Sequence, residues 1–387
     1  MLVALALMVT VPTNEAVGSV RVIGVERSAG TTLARSHWTR AHRRLQPPPP
    51  ACPGGSLQAC IDACPSAPLP VYQACVKECG ERCSGPPAPP PMNTIDVVSV
   101  DPSTLVVTTL VQDNAGEFLS TGEFGAVGGG KYYTLAQPNN TNSIHLASWD
   151  LAPPFKKTIV PLPTTVVDGG YADGMLVGLD ENEQGVYFAR IDPTTGACAS
   201  KTMLDPAFGF DGDLSTIDPA TKTLYFAAPS KHGGNNFTLI GFDTSSGAIK
   251  SQVKIHPTPD LQGPAGLVWD ATSAKILAFM PPLDGSWQLV AIDPQSGLVQ
   301  QTTGLSGLPP LHGRAAGVEW LAPVNGTSVL SAGLFASMGA PCQLVSIDVQ
   351  CALKNSPLVN CTLGISSWPA DPTKTTEVVD LAVDAGS

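Results

Sequence analysis

At 387 residues, of which 43% are apolar, the chain is long enough and apolar enough to bury a large core, so it is not a disordered protein. It has 38 glycines and 37 prolines and only 14% charged residues, a composition that favours short strands and tight turns over helices. The formal net charge is −11, and the 15 basic and 30 acidic residues after residue 50 argue against a nucleic-acid or anionic-membrane partner and favour cations or basic partners.

The N-terminus is predicted to be a signal peptide over residues 1–18. Its apolar run, residues 2–11, is too short to span a bilayer, and residues 16–18 offer small side chains for cleavage. No Lys or Arg precedes the run, which leaves a truncated or mis-started sequence as the alternative. Ten cysteines and four N-x-S/T sequons favour a secreted, oxidised protein; the predicted glycosylation sites are Asn139, Asn236, Asn325 and Asn360.

Residues 19–50 are rich in Arg, Ser and Thr, contain few acids and are predicted to be disordered. Three interpretations remain open. The segment is a linker, a pro-segment cut near Arg43 and Arg44, or the second half of a bipartite leader that directs the chain to an organelle instead of the cell exterior.

A cysteine-rich module follows over residues 51–84, and a proline-rich linker over residues 85–92 separates it from the rest. Cysteines four apart share a helix face, and PSAPLP breaks the helix between the two pairs, so the spacing predicts a helical hairpin. Three nested disulfides would replace the core that so small a module lacks: Cys52–Cys83, Cys60–Cys79 and Cys64–Cys75. A zinc site fits this spacing less well.

The two C-x3-C pairs resemble the helical hairpin of α-hairpinin peptides and of mitochondrial twin-cysteine proteins. The resemblance covers residues 60–79. It implies a disulfide staple and no particular activity.

Residues 93–387 contain an apolar strand that runs into an Asp and a turn, repeated six times at steps of 42 to 55 residues. The repeated acids are Asp101, Asp150, Asp192, Asp243, Asp293 and Asp348. A hairpin that recurs at this period predicts an all-β fold, a six-bladed β-propeller. Asp followed by Pro or a small polar residue and then Gly is what a strand-to-turn junction requires, so these acids are interpreted as turn residues and not as an active site.

Five complete four-stranded copies are predicted to begin near Glu123, Val166, Leu214, Gly266 and Gly317. The sixth blade is split, with two strands over residues 95–110 and the inner strand over residues 377–384. No second strand is identified for it. A three-stranded blade and a seventh, irregular blade therefore remain alternatives.

The repeat resembles the secreted propellers of the YVTN and SMP-30-like superfamily over residues 93–387. That resemblance implies a propeller fold. The metal-dependent lactonases of that group begin with an acidic residue in an EGP-W-like motif, whereas this chain has Gln262 in QGPAGLVWD, and no ligand set is carried over.

The loops between blades, and those between the second and third strands of a blade, share one end of a propeller, where ligands usually bind. The candidate binding-face residues are Asp211, Asp213, His232, His256, Asp260, Trp287, His312 and Arg314. Such His and Asp side chains suit a divalent metal if they converge, and Asp211 with Asp213 suit structural calcium. No firm metal site and no cofactor are predicted.

In the last blade Cys342 precedes one strand and Cys361 ends the next, which predicts a disulfide between them across a hairpin centred near residue 351. Cys351 and Cys198 are then left unpaired in turns.

Together these features predict a secreted, non-enzymatic binding or adhesion protein that holds a protein or glycan on its loop face. It is expected to be a monomer with no transmembrane span. The alternative is a metal-dependent hydrolase or lactonase with a His and Asp site at the channel mouth.

Overall fold

The computed structural model describes residues 21–28, 75, 95–101, 104–113, 118–138, 143–210, 214–231, 236–256, 263–264, 266–280, 288–304, 317–324, 329–335, 342–354, 361–368 and 376–384. These ranges contain 24 strands and one short helix, α1 (Val349–Leu353). The strands are β1 (Arg21–Ser28), β2 (Ile95–Val100), β3 (Val107–Asp113), β4 (Phe118–Gly128), β5 (Lys131–Pro138), β6 (His145–Asp150), β7 (Lys157–Pro161), β8 (Asp168–Ala172), β9 (Met175–Asn182), β10 (Gly185–Ile191), β11 (Cys198–Met203), β12 (Ser215–Asp218), β13 (Thr223–Pro229), β14 (Phe237–Asp243), β15 (Ile249–Lys254), β16 (Leu267–Asp270), β17 (Lys275–Met280), β18 (Gln288–Ile292), β19 (Val299–Gly304), β20 (Gly317–Val324), β21 (Val329–Phe335), β22 (Cys342–Asp348), β23 (Thr362–Trp368) and β24 (Thr376–Asp384).

The described strands form six four-stranded antiparallel sheets. Five of them use consecutive strands and correspond to the five predicted copies of the repeat; they are sheet A (β4–β7), sheet B (β8–β11), sheet C (β12–β15), sheet D (β16–β19) and sheet E (β20–β23). The sixth has the order β24-β1-β2-β3, and we call it the closing sheet.

The sheets stand around a common axis; the first strand of sheets A to E and β24 of the closing sheet lie innermost. Strand β4 contacts β8, which contacts β12, and the series continues through β16 and β20 to β24, which contacts β4 again. A ring of antiparallel four-stranded sheets that closes on itself is a β-propeller, and the predicted all-β propeller fold is confirmed.

The closing sheet corrects one prediction. Residues 21–28, assigned by sequence to a disordered segment, form β1 and lie between β2 and β24 as the second strand of this sheet. Six residue pairs join β1 to β2, from Val22 with Val100 to Arg27 with Ile95. The pairing with β24 extends from Arg21 to Ser28 and is interrupted by a bulge in β24, where Asp380 and Leu381 lie opposite Gly24 alone. The segment forms a strand because β2 and β24 each have an edge with whose backbone groups it can pair.

The core lies between neighbouring sheets and is built from strands whose middle residues are fully buried. Aromatic side chains interlock across these seams. The ring centroids of Phe188 and Phe242 are 5.0 Å apart, and Tyr225 stacks on Trp269 at 5.8 Å. Offset-stacked aromatic pairs contribute about 0.5–1.5 kcal/mol beyond the area they bury, so these contacts fix the sheets against one another.

The repeated Asp residues are turn residues, as predicted. The carboxylate of Asp243 accepts the N–H groups of Ser245 at 3.0 Å and Ser246 at 2.8 Å, and its backbone carbonyl accepts the Gly247 N–H at 2.7 Å. Hydrogen bonds from Ser245 and Ser246 lower the pKa of Asp243. Gly247 has φ +77°, a conformation that favours glycine. Asp192 and Asp293 make corresponding bonds, because their carboxylates accept the N–H groups of Thr194 and Gln295 and their carbonyls those of Gly196 and Gly297. These acids therefore hold their turns together.

Asp293 shows the added effect of a cation in this position. Its carboxylate accepts a hydrogen bond from Lys275 Nζ at 2.6 Å, and this bond, with those from the N–H groups of Gln295 and Ser296, lowers the pKa of Asp293 to about 2. The group is therefore ionised throughout the neutral range.

The predicted Cys342–Cys361 disulfide is wrong. Cys361 is bonded to Cys351, with an S–S distance of 2.02 Å, and Cys342 pairs with Trp368 across the two strands. The cause is α1, which Asp348 caps by accepting the Cys351 N–H at 2.9 Å. This helical turn lengthens the connection and brings Cys351 beside Cys361, the residue that precedes the returning strand β23.

Candidate functional site

Two loops at the end of sheet C are joined by backbone hydrogen bonds. The loop after β11 carries DPAFGF, and the connection after β13 carries SK. The Gly209 N–H donates to the Pro229 carbonyl at 2.8 Å, and the Lys231 N–H donates to the Ala207 carbonyl at 3.0 Å. Phe208 and Ser230 form an isolated antiparallel bridge between them. We call residues 205–210 with 229–231 the loop pair.

The sequence of the loop pair explains its shape. Asp205 caps its own turn, because its carboxylate accepts the Ala207 N–H at 2.8 Å. Phe210 anchors this turn to the core, because its ring centroid lies 5.8 Å from that of the buried Phe226. Asp205 and Lys231 are exposed, as is Asn236 at the far end of the same connection. The loop pair is therefore a fixed polar surface on an aromatic base.

A buried carboxylate fixes the chain where it leaves the loop pair. Asp168, at the start of β8, accepts the Leu214 N–H at 3.0 Å and the Ser215 hydroxyl at 2.5 Å. These bonds tie the first strand of sheet C to that of sheet B. Residues 211–213, with the sequence DGD, lie outside the described residues and connect two anchored residues, Phe210 and Leu214.

Asp180 stabilises the neighbouring interblade loop in the same way. It is 1% exposed and accepts hydrogen bonds from the Glu181 N–H at 2.7 Å, the Tyr187 hydroxyl at 3.2 Å and the Thr165 hydroxyl. A buried charge is tolerated when hydrogen bonds replace its water. Asp168 and Asp180 thus serve the scaffold of the loop face.

His256 is the one candidate binding residue of the eight that lies within the described part of the chain. It is exposed, its N–H donates to the Gly297 carbonyl at 3.0 Å, and it bridges to Leu298. Its backbone therefore belongs with a turn of sheet D and not with the loop pair. The other seven lie outside the described residues: Asp211, Asp213, His232, Asp260, Trp287, His312 and Arg314.

The remaining predicted sites are only partly covered by the described residues. Cys75 is helical and disulfide-bonded, whereas Cys52, Cys60, Cys64, Cys79 and Cys83 fall outside, so their pairing stays a prediction. Asn236 is described and exposed; Asn139, Asn325 and Asn360 are not described. Cys198 is a free thiol that donates to the Ser200 carbonyl at 3.3 Å.

Within the described ranges, no three His, Cys, Asp or Glu side chains are grouped so that they could hold a metal ion. The same ranges contain no helix with the length and apolar character needed to cross a bilayer.

The sequence could not show that the backbone of the loop after β11 pairs with the connection after β13. Sequence reasoning also missed Asp168 and Asp180, whose partners lie on other strands. The available signal was an Asp inside an apolar run, VVDGG and LVGLD.

The ring of sheets defines the chain as a β-propeller, and the loop pair gives it a structured polar surface on the loop face. No family model and no curated protein matches the chain. It is similar in structure to a chain from a nidogen and laminin complex, at 11% identity over 74% of this chain and 94% of the other, with a TM-score of 0.47. A putative TolB from Agrobacterium tumefaciens aligns at 13% identity over 72% and 93%, with a TM-score of 0.43. Hydrazine synthase from Kuenenia stuttgartiensis aligns at 16% over 70% and 77%, with a TM-score of 0.45. At these values the similarity assigns no function.

Proposed function

We propose that this chain is a secreted, non-enzymatic binding protein whose loop face holds a protein partner with a basic surface. The observation that carries the proposal is the loop pair, in which backbone hydrogen bonds hold two polar loops together and leave Asp205, Lys231 and Asn236 exposed. A surface that is ordered before binding loses little conformational entropy when a partner docks.

Charge supports a basic partner. After residue 50 the chain has twice as many acidic as basic residues, and the segment that follows the loop pair adds Asp211 and Asp213 to Asp205 within nine positions. Opposite charge increases the rate of encounter and discriminates against acidic partners. A glycan ligand is the competing outcome of the test below.

Secretion is supported by the apolar N-terminus, by the four sequons and by the Cys351–Cys361 disulfide, since stable disulfides form in oxidising compartments.

The test compares two charge-neutralised variants of the secreted protein. Asp211→Asn with Asp213→Asn removes two charges beside the loop pair. Asp101→Asn with Asp173→Asn removes two charges from exposed turns, β2–β3 and β8–β9, that do not belong to the loop face. The probe is a Lys- and Arg-rich peptide, with an acidic peptide and a glycan array as comparisons. The first variant is expected to weaken binding of the basic peptide about tenfold, which corresponds to ~1.4 kcal/mol, and the second to leave it unchanged.

Equal weakening by both variants would show that binding is unspecific and contradict the loop face as the site. Glycan binding without peptide binding would replace the protein partner by a carbohydrate. Metal-dependent lactone hydrolysis by the purified protein would overturn the non-enzymatic assignment.

A further inference from the structure

The closing sheet takes its four strands from three distant parts of the chain. β24 comes from the C-terminus, β2 and β3 follow the cysteine-rich module, and β1 precedes it. Residues 29–94, which number 66, separate β1 from β2. β1 is therefore the one described strand that is followed by a long connection before its sheet neighbour.

β1 is held on both edges. It pairs antiparallel with β2 from Val22 to Arg27 and with β24 from Arg21 to Ser28. A central strand has its N–H and C=O groups satisfied on both sides, whereas its removal would expose an edge on β2 and another on β24. The sheet thus contains a slot of the width of one strand.

We propose that the slot between β2 and β24 is an acceptor site for an extended peptide, and that residues 21–28 occupy it as a ligand that needs no covalent connection to β2. Affinity for an added strand comes from main-chain hydrogen bonds. The central position of β1 doubles the number of such bonds relative to binding at a single edge.

Cleavage near Arg43 and Arg44 then has a different outcome from the release of a pro-segment. Hydrolysis after Arg44 by a trypsin-like protease adds water across one peptide bond and leaves a carboxylate on Arg44 and an amine on Leu45. The first cysteine of the chain is Cys52, so no disulfide can hold the N-terminal fragment. It is retained by β-pairing alone, and the cut gives a nicked two-chain propeller and not the release of a pro-segment.

The test inserts a recognition sequence for a site-specific protease after Arg44 in the full chain. After complete cleavage, shown on a denaturing non-reducing gel, the N-terminal fragment is expected to co-elute with the large fragment in native gel filtration and to be released in urea. Separate elution of the fragment under native conditions, with the thermal transition of the large fragment unchanged, would overturn the proposal.

Variants of β1 and a synthetic peptide show whether retention of the fragment depends on strand pairing. Val25→Pro removes an N–H from the middle of β1 and is expected to release the fragment after cleavage, whereas Val25→Thr keeps the N–H and is expected to retain it. Should Val25→Pro fail to fold before cleavage, the large fragment of the nicked protein is separated in urea with its disulfides intact and refolded with a synthetic peptide of residues 19–30. Recovery of the thermal transition with this peptide, and none with a scrambled one, is the expected result. Equal recovery without peptide would show that the slot needs no ligand.

Discussion

The substitution Gly297→Ala tests how the turns lock neighbouring sheets together. Gly297 has φ +69°, and an added Cβ would lie 2.0 Å from the carbonyl oxygen of Lys254, at the end of the outer strand of sheet C. The same glycine accepts the His256 N–H. The atoms nearest the added Cβ all belong to the backbone of Lys254 and Ile255, which cannot rotate away as a side chain can.

Gly174→Ala provides the matched control, because Gly174 has φ +78° and nothing within 4 Å of its added Cβ. The left-handed conformation costs alanine about 1–2 kcal/mol, and the lower entropy of the unfolded chain returns about 0.4–1 kcal/mol, so the control should lose about 1 kcal/mol. Displacement of the Lys254 backbone adds about 2 kcal/mol, within the range for overpacked sites. Gly297→Ala should therefore lose about 3 kcal/mol.

Urea unfolding followed by circular dichroism measures the difference. With an m-value of about 3 kcal/mol/M, the midpoint should fall by about 1 M for Gly297→Ala and about 0.3 M for Gly174→Ala. Gly247→Ala, whose Cβ would lie 3.0 Å from the Phe188 ring, should fall between them because a ring gives way more easily than backbone. Equal shifts of the urea midpoint for Gly297→Ala and Gly174→Ala would refute the argument, since the strain of the left-handed conformation alone would then account for both.

Three other predictions concern an ion pair, a disulfide and a sequon. Lys275→Met should destabilise the protein more at pH 6 than at pH 2: the pKa of Asp293 is lowered to about 2 by Lys275, so this stabilisation is present above about pH 4 and is lost as pH falls through 2, which acid titrations of both proteins will show. Cys351→Ser should cost about 2–3 kcal/mol in urea unfolding, because the disulfide closes a loop of sequence separation 10. Thr238→Ala should remove one glycan from protein made in a secretory host, seen as a loss of mass, because Asn236 is exposed.

Each of these has a control. Lys156→Met removes a lysine for which no ion pair is found among the described residues, and a pH dependence equal to that of Lys275→Met would contradict the first prediction. Cys198→Ser removes a free thiol and should leave stability unchanged, whereas reducing agent should destabilise the propeller of the native protein more than that of Cys351→Ser. Thr238→Ser keeps the sequon and should keep the glycan; an unchanged mass for Thr238→Ala would count against glycosylation at Asn236.

The propeller was predictable because its information is local and repeated. A strand, an Asp and a Gly at fixed spacing specify a turn wherever they occur, and Asp243 with Gly247 behaves as that chemistry requires. Strand β1 was missed because its partners lie 68 to 78 residues later, in β2, and at the other end of the chain, in β24, so that neither its neighbours in sequence nor the repeat period indicate them.

The disulfide pairing and the contacts that support the loop face could not be predicted, for related reasons. The hairpin centre was placed from the cysteines alone, and α1 lengthened the connection by a helical turn. Asp168 acts on Leu214 from another sheet, 46 residues earlier, and no pattern in one strand reports a partner in another. His256 was assigned to a loop by sequence, yet which neighbouring turn it meets depends on the twist between sheets.

The order of strands in the closing sheet also sets the order in which the protein can fold during synthesis. Sheets A to E each consist of consecutive residues and can form as they leave the ribosome from the N-terminal side. The closing sheet cannot, since β1 is among the first segments made and must wait for β24, which ends at Asp384. The pairing of β1 with β24 joins residues 21–28 to residues 376–384 and carries the largest loop-closure entropy among the described strand pairings. Ring closure therefore comes after the synthesis of sheets A to E, and a chain that stops before β24 carries β1 without its final partner.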